Sequence, residues 1–191
     1  MKKVLSYALL LVLSLSVMGC INRTPYTTDE EEEGKVVLSV FMTKQEIIKK
    51  LGEEYTLITE EGTSHNNYHT KLQYESVVFH YYHEEEEMAG DLLPETILLT
   101  GNDYTYNFDI EIGTSARDII RSFRLQFDRY YDMHRGDIAF DIFKYRERRN
   151  GAVVDTNYLV QPVYEDDRYY ESIDDISSEL KVVGIKIFIP M

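Results

Sequence analysis

The amino-acid sequence predicts an α+β fold made of two similar units, each a helix plus an antiparallel sheet. Runs rich in valine, isoleucine, tyrosine and phenylalanine recur along the chain with few prolines between them, which is typical of strands. Two short segments begin with residues that cap helices. Repeated strands with few helices between them favour an antiparallel sheet over a doubly wound parallel one.

The strands are predicted from the alternation of apolar and polar residues. In the clearest run, Tyr104 to Ile112, apolar side chains occupy every second position, which predicts a half-buried antiparallel strand. Six further runs have a similar composition: Val36 to Phe41, Lys71 to Tyr82, Ile97 to Thr100, Asp137 to Tyr145, Tyr158 to Tyr164 and Val182 to Ile189. Asn150-Gly151 is a tight-turn signal, so the strand before it is expected to pair with one that begins at Ala152.

The two helices are predicted from their first turns. Thr43 is a good N-cap with Glu46 three residues on, and Gly52 suits the end of that helix. Ser115 and Asp118 take the same two positions in the second helix. Both helices share an apolar pattern at i, i+1 and i+4, which comprises Ile47, Ile48 and Leu51 in the first and Ile119, Ile120 and Phe123 in the second.

Helices and strands follow one another in a similar order twice. Each predicted helix directly follows a strand, and a later strand completes each unit, Val77 to Phe79 in the first and Ile138 to Phe140 in the second. We interpret this as an internal repeat, with one unit at residues 35–100 and the other at 101–191. The alternative is two unrelated short helices within one α+β domain.

The N-terminus carries an export signal. Lys2 and Lys3 precede an apolar run from Val4 to Val17 that is short for a membrane-spanning helix, which predicts a signal peptide at residues 1–19. Val17-Met18-Gly19-Cys20 resembles the lipobox of bacterial lipoproteins. The resemblance implies cleavage after Gly19 and lipidation of Cys20, with a diacylglyceryl group on the thiol and a palmitate-type chain on the new amino group. The alternative is an ordinary secretory signal that ends by chance in a cysteine.

The segment 20–34 is polar, ends in an acidic run, and is predicted to be a lipidated flexible tether. The full chain has a net charge of −14, and removal of the signal peptide takes away two lysines. This acidity argues against nucleic acid as a partner. Ile21 stands where an aspartate would favour inner-membrane retention in enteric bacteria. We therefore expect the outer membrane in a Gram-negative host and otherwise the outer face of the cell membrane.

The first helix region has a recognisable motif. Met42-Thr43-x-x-Glu46-Ile47-x-x-x-Leu51-Gly52 resembles the signature of the SmpA/OmlA outer-membrane assembly lipoproteins and of the related domains similar to β-lactamase inhibitor protein. A similar segment, Ile112-Gly113-Thr114-Ser115-x-x-Asp118-Ile119, begins the second helix. The resemblance implies tandem helix-plus-sheet units that form a non-enzymatic binding module.

The densest set of potential metal ligands is His80-Tyr81-Tyr82-His83 followed by four glutamates. On an extended strand His80 and His83 point to opposite faces, so this sequence is read as a charged segment rather than a metal site. His65 and His69 lie among turn-forming residues, which predicts a loop. The sequence therefore predicts no catalytic residue, no cofactor and no metal ligand.

The sequence has sixteen tyrosines and no tryptophan. Tyrosine covers half-buried sheets and is also a frequent anchor in protein interfaces. The expected function is that of a membrane-anchored, non-enzymatic protein-binding or envelope-assembly module whose partner is another envelope protein. The alternatives are a metal-binding or hydrolytic envelope protein that uses His80 and His83, and a surface adhesin.

Overall fold

The computed structural model describes residues 34–62, 67–106, 108, 110–132, 137–149, 152–166, 168 and 170–190. The predicted signal peptide, Cys20, all of the tether except Gly34, His65 and the Asn150-Gly151 turn lie outside the described residues. No helix within these ranges has the length and apolar character needed to cross a membrane.

The described residues form a mostly-sheet α+β fold. Its helices are α1 (Lys44–Leu51), α2 (Ala116–Gln126) and a short 3₁₀ turn at Ile173–Asp175. Its strands are β1 (Val36–Val37), β2 (Thr56–Glu61), β3 (Tyr68–Gln73), β4 (Val77–His83), β5 (Thr96–Leu99), β6 (Tyr104–Thr105), β7 (Asp128–Asp132), β8 (Asp137–Arg149), β9 (Ala152–Tyr164) and β10 (Val182–Phe188).

Eight strands form one antiparallel sheet in the order β2-β3-β4-β5-β10-β9-β8-β7. Four of them follow α1 and four follow α2, and the last strand of each set, β5 and β10, pair at the centre of the sheet. The two remaining strands, β1 and β6, form a separate parallel pair. The antiparallel sheet that the sequence predicts is thus confirmed.

Strands occur in all six of the other predicted runs. The run Lys71 to Tyr82 is a hairpin of β3 and β4, closed where the Tyr74 amide donates to the Val77 carbonyl at 2.9 Å. The predicted pairing across the Asn150-Gly151 turn is also confirmed, since β8 pairs with β9 from Arg149 and Ala152 onward. Two strands were missed, β2 and β7, and both are edge strands of the sheet.

The prediction of one long strand from Tyr104 to Ile112 was wrong. Among the described residues of this run only Tyr104–Thr105 is a strand, and its partner is the parallel strand β1. Asn102 closes this segment into a loop, because its side chain accepts from the Ile112 amide at 2.8 Å and donates to the Ile112 carbonyl at 3.3 Å. Tyr106 and Phe108 are nevertheless buried in the core. The alternation of apolar and polar residues in this run therefore indicated a buried connection, and not an extended strand.

The capping box of α1 is confirmed. The Thr43 hydroxyl accepts from the Glu46 amide at 3.3 Å, and the Glu46 carboxylate accepts from the Thr43 amide at 2.8 Å. Gly52 ends this helix with a φ of 91°, a region that favours glycine.

The first turn of α2 differs from the prediction. Ser115 is its N-cap residue, but the Ser115 side chain makes no capping bond. Instead, the backbone amide of Ala116 donates to the Leu180 carbonyl at 2.9 Å, and Ser115 bridges to Lys181. Backbone groups of the segment before β10 thus take the place of the predicted capping box. The apolar face of α2 is buried as predicted, at Ile119, Ile120 and Phe123.

Glu147 is a buried carboxylate that fixes the chain between β1 and α1. It is fully buried on β8, and its side chain accepts from the Ser39 hydroxyl at 2.5 Å and the Val40 amide at 3.0 Å. Burial raises the pKa of Glu147, and these two hydrogen bonds offset part of that shift. The Glu147 carboxylate therefore links the segment that leads into α1 to β8, a strand that follows α2.

The raised pKa of Glu147 predicts a pH-dependent stability. The folded protein binds this proton more tightly than the unfolded chain, so the contribution of Glu147 to stability falls as the pH rises from the ordinary glutamate pKa of 4.5 through the raised pKa of the folded protein. Glu147→Gln removes the titration and keeps a side-chain acceptor. We expect urea denaturation between about pH 4 and 8 to show wild-type stability falling relative to Glu147→Gln as the pH rises. Parallel pH profiles of the two proteins would contradict this.

Two tyrosine hydroxyls, those of Tyr81 and Tyr106, are buried without a hydrogen-bond partner among the described residues. Such a group costs about 1–3 kcal/mol, so we expect Tyr106→Phe to leave the unfolding free energy unchanged or raise it by about 1 kcal/mol. The control is Tyr145→Phe, which loses a 2.7 Å bond to the Tyr106 carbonyl and is expected to destabilise by about 1 kcal/mol. Equal losses in both variants would mean that the Tyr106 hydroxyl has a partner, such as a buried water.

Candidate protein-interaction face

One face of the sheet packs against the core and the other does not. Along β4 and β5 every second residue is buried, whereas the residues between them are half-buried or exposed. Strand register places one set of alternate side chains from β2 to β5 and β10, all of them half-buried or exposed, on the side away from the core, whereas the exposed Leu57, Thr59 and Glu61 of β2 lie on the other side. We call this set the open face: Ile58, Glu60, His69, Lys71, Val78, His80, Tyr82, Thr96, Leu98, Lys186 and Phe188.

A pair of histidines lies near the centre of the open face. His69 on β3 and His80 on β4 are joined by a hydrogen bond of 3.0 Å between Nε2 of His69 and Nδ1 of His80. The ring of Tyr82 stacks on His69 at a centroid distance of 4.6 Å. On the other side of His69, the Glu60 carboxylate lies 3.7 Å from Nδ1. The cluster joins side chains from three neighbouring strands, β2, β3 and β4.

Burial keeps the histidine pair neutral. Partial burial lowers the pKa of His80 to about 4, helped by the neighbouring His69, Lys71 and Lys186. Burial is also the main cause that lowers the pKa of His69, against which Glu60 acts in the opposite direction. At neutral pH the two imidazoles therefore present uncharged donor and acceptor groups. The charges beside them are the Glu60 carboxylate and the Lys71 ammonium, which form an ion pair at 3.3 Å.

His80 and His83 lie on opposite faces of the sheet, as the strand geometry predicts. His83 is buried on the core side, where its Nδ1–H donates to the Glu85 carbonyl at 2.6 Å and its Nε2 is hydrogen-bonded to the Thr70 hydroxyl at 2.8 Å. The ring of His83 stacks with Tyr68. The two histidines therefore do not converge on one ion. Within the described residues no group of three or more histidine, cysteine or acidic side chains has an arrangement that could hold a metal.

The partner of His80 is His69, which sequence reasoning assigned to a loop. The assignment failed because β3 begins at Tyr68, immediately after a polar segment with asparagines and a glycine. The alternation within Tyr68–Gln73 is the signal that could have found this strand. Its burial pattern has Thr70 and Leu72 buried while His69 and Lys71 remain half-exposed.

The sequence has three pairs of adjacent tyrosines, Tyr81-Tyr82, Tyr130-Tyr131 and Tyr169-Tyr170, and they do not form one surface. Tyr81 is buried and Tyr82 is 38% exposed on the open face, which follows from their neighbouring positions on β4. On the edge strand β7, Tyr131 is exposed. The ring of Tyr170 packs edge-on against Tyr164, while Tyr169 lies outside the described residues. Only Tyr82 of these tyrosines belongs to the open face.

Comparison with known proteins places this chain in no established family. No family model matches it, and no curated protein matches it. Among solved structures, the chain is similar to the crystal structure of the uncharacterized protein yfeY from Escherichia coli, with a TM-score of 0.40 and 13% sequence identity. The similarity covers 78% of this chain and 97% of the yfeY chain. At this level of similarity no function is transferred to this chain.

Proposed function

We propose that this protein is a lipid-anchored envelope protein that binds another envelope protein through the open face, without a catalytic step. The observation that carries the proposal is the open face itself. It combines an exposed tyrosine, a neutral histidine pair, aliphatic side chains and charges of both signs on a rigid antiparallel sheet. Aromatic and amphipathic side chains of this kind are the usual anchors of protein interfaces.

The proposed architecture is two units similar to β-lactamase inhibitor protein, residues 35–100 and 101–191. Each helix is followed by four strands that pair in chain order. The helix entries are also alike, because the first amide of α1 donates to Leu92 and that of α2 donates to Leu180, each shortly before the last strand of its set. These parallels support a tandem repeat, and with it the resemblance to the SmpA/OmlA group that the helix motif suggests.

The proposed location follows from the lipobox. Lipidation of Cys20 with palmitate-type chains would hold the domain near a membrane, at the end of the acidic tether. The membrane is the outer membrane in a Gram-negative host and otherwise the outer face of the cell membrane. In this position the protein meets other envelope proteins without needing nucleic acid, a metal or a cofactor.

Site-specific photo-crosslinking in the native cell tests the proposal. A photoreactive phenylalanine analogue at Tyr82 lies on the open face, and the same analogue at Leu125, which is 78% exposed on α2, is the matched control. We expect Tyr82 to capture a discrete envelope protein and Leu125 not to capture it. The same product from both positions, or no product from Tyr82 and from neighbouring Lys71, would contradict the proposal.

A further inference from the structure

The two edges of the sheet differ in how they are protected. The edge strand β7 carries charged residues at both ends, pairs with β8 through a register shift, and has Asp128 in an ion pair with Arg146. Bulges and charges are the features by which proteins keep sheet edges from pairing with other chains. The edge strand β2 pairs with β3 over all six residues without a shift. It contains no lysine, arginine or proline, and its two charged residues, Glu60 and Glu61, lie together at one end.

The side chains of β2 are unusual for a solvent-facing edge. All six residues are exposed, including Leu57 at 48% and Ile58 at 38%. Among the described residues, no strand pairs with the outer side of β2. Its threonines, leucine and isoleucine favour extended structure. The outer backbone groups of β2 are therefore placed to pair with an added strand.

A pocket lies at the start of this edge strand. Glu54, Tyr55, Thr56, Gln73, Tyr74 and Glu75 line a space of about 340 Å³ that is open to solvent. The rings of Tyr55 and Tyr74 are 5.8 Å apart, and the Tyr74 hydroxyl is fixed by a bond of 2.9 Å to the Gly52 carbonyl. Within the part of the chain that the structure describes, neither Glu54 nor Glu75 takes part in a salt bridge.

From these features we infer that β2 is the docking site of an extended basic peptide segment of the partner, which adds as a strand and places a lysine or arginine in this pocket. The inference rests on the proposed function and names the chemistry of the partner. The exposed Glu54 and Glu75 carboxylates and the partly exposed Tyr55 ring are suited to a cationic side chain, through ion pairing and cation–π contact. An added strand presents every second side chain to one face, so alternate basic residues would meet the pocket and Glu60, which lies on the same side of β2 toward its other end.

The probe is a fluorescent synthetic peptide of alternating lysine and valine, about eight residues long, to span the six of β2. Its binding to the full-length lipidated protein in detergent is measured by fluorescence anisotropy. We expect Glu54→Gln combined with Glu75→Gln to weaken binding about three- to tenfold. The matched control is Glu86→Gln combined with Glu87→Gln, which removes the same charge from an exposed segment after β4 and is expected to leave binding unchanged.

Two further peptides separate strand addition from general charge attraction. A peptide with proline in place of the central valines lacks backbone donors and is expected to bind more weakly, and one with glutamate in place of lysine is expected not to bind. Equal effects of the two glutamine pairs, equal binding of the proline peptide, or no binding of the basic peptide would overturn the inference. So would a homodimer that Ile58→Lys dissociates, since β2 would then pair with a second copy.

The crosslinking experiment at Tyr82 separates this inference from the proposed function. If Tyr82 captures a partner but the protein does not bind the basic peptide, only the proposed docking site on β2 is contradicted. If no partner is captured from the open face, the proposed function itself is contradicted, whether or not the peptide binds.

Discussion

Phe123→Ala is expected to lower the free energy of unfolding by about 3–5 kcal/mol, the usual cost of removing a buried phenylalanine side chain. Phe123 is fully buried on the inner face of α2. Its ring lies 5.7 Å from Phe108, 5.5 Å from Phe127 and 5.5 Å from Phe143, measured between centroids. The substitution therefore opens a cavity where the helix, the loop after β6 and the sheet meet.

The matched control for Phe123→Ala is Leu125→Ala, two residues further along the same helix. Leu125 is 78% exposed, so its replacement is expected to change stability by less than about 0.5 kcal/mol. Urea denaturation of both variants measures the difference, and the melting temperature of Phe123→Ala should fall by about 6–20 °C. A loss below about 1 kcal/mol would show that α2 does not hold the core in the described way.

Cys20→Ala is expected to remove the lipid from the protein and release the cleaved chain from the membrane. Each buried methylene of an acyl chain contributes about 0.8 kcal/mol to membrane binding, and stable anchoring needs more than one chain. Without the thiol neither the diacylglyceryl group nor the complete lipobox is present. Radiolabelled palmitate should therefore label the wild-type chain and not the variant, and detergent phase separation should move the cleaved variant to the aqueous phase.

Asn22→Ala is the control for Cys20→Ala, because it changes the tether two residues further on and leaves the lipobox intact. It should retain the palmitate label and stay in the detergent phase. Partition of a cleaved, unlabelled Cys20→Ala chain into the detergent phase would rule out Cys20 as the membrane anchor. This result concerns location only and leaves the open face and its partner untouched.

The elements that the sequence predicted correctly are those whose nearby residues form a recognisable pattern, either of buried apolar side chains or of a helix cap. Ile119, Ile120 and Phe123 of α2 repeat at helical spacing, and the Thr43 capping box depends on residues three positions apart. The two missed strands, β2 and β7, are edge strands, and every residue of β2 is exposed. An edge strand needs no continuous buried side, so its sequence carries little alternation.

The sequence by itself determined the acidic charge, the antiparallel sheet and the opposite orientation of His80 and His83, and it predicts an export and lipidation signal. Only the tertiary structure decided that His80 meets His69, that Glu147 holds the chain before α1 from 107 positions away, and that β2 is left at an open edge. The physical reason is that strand pairing depends on register between distant segments. The face of the sheet on which a side chain lies can be predicted from the alternation in its own strand. Its neighbours on the adjacent strands cannot be predicted in this way.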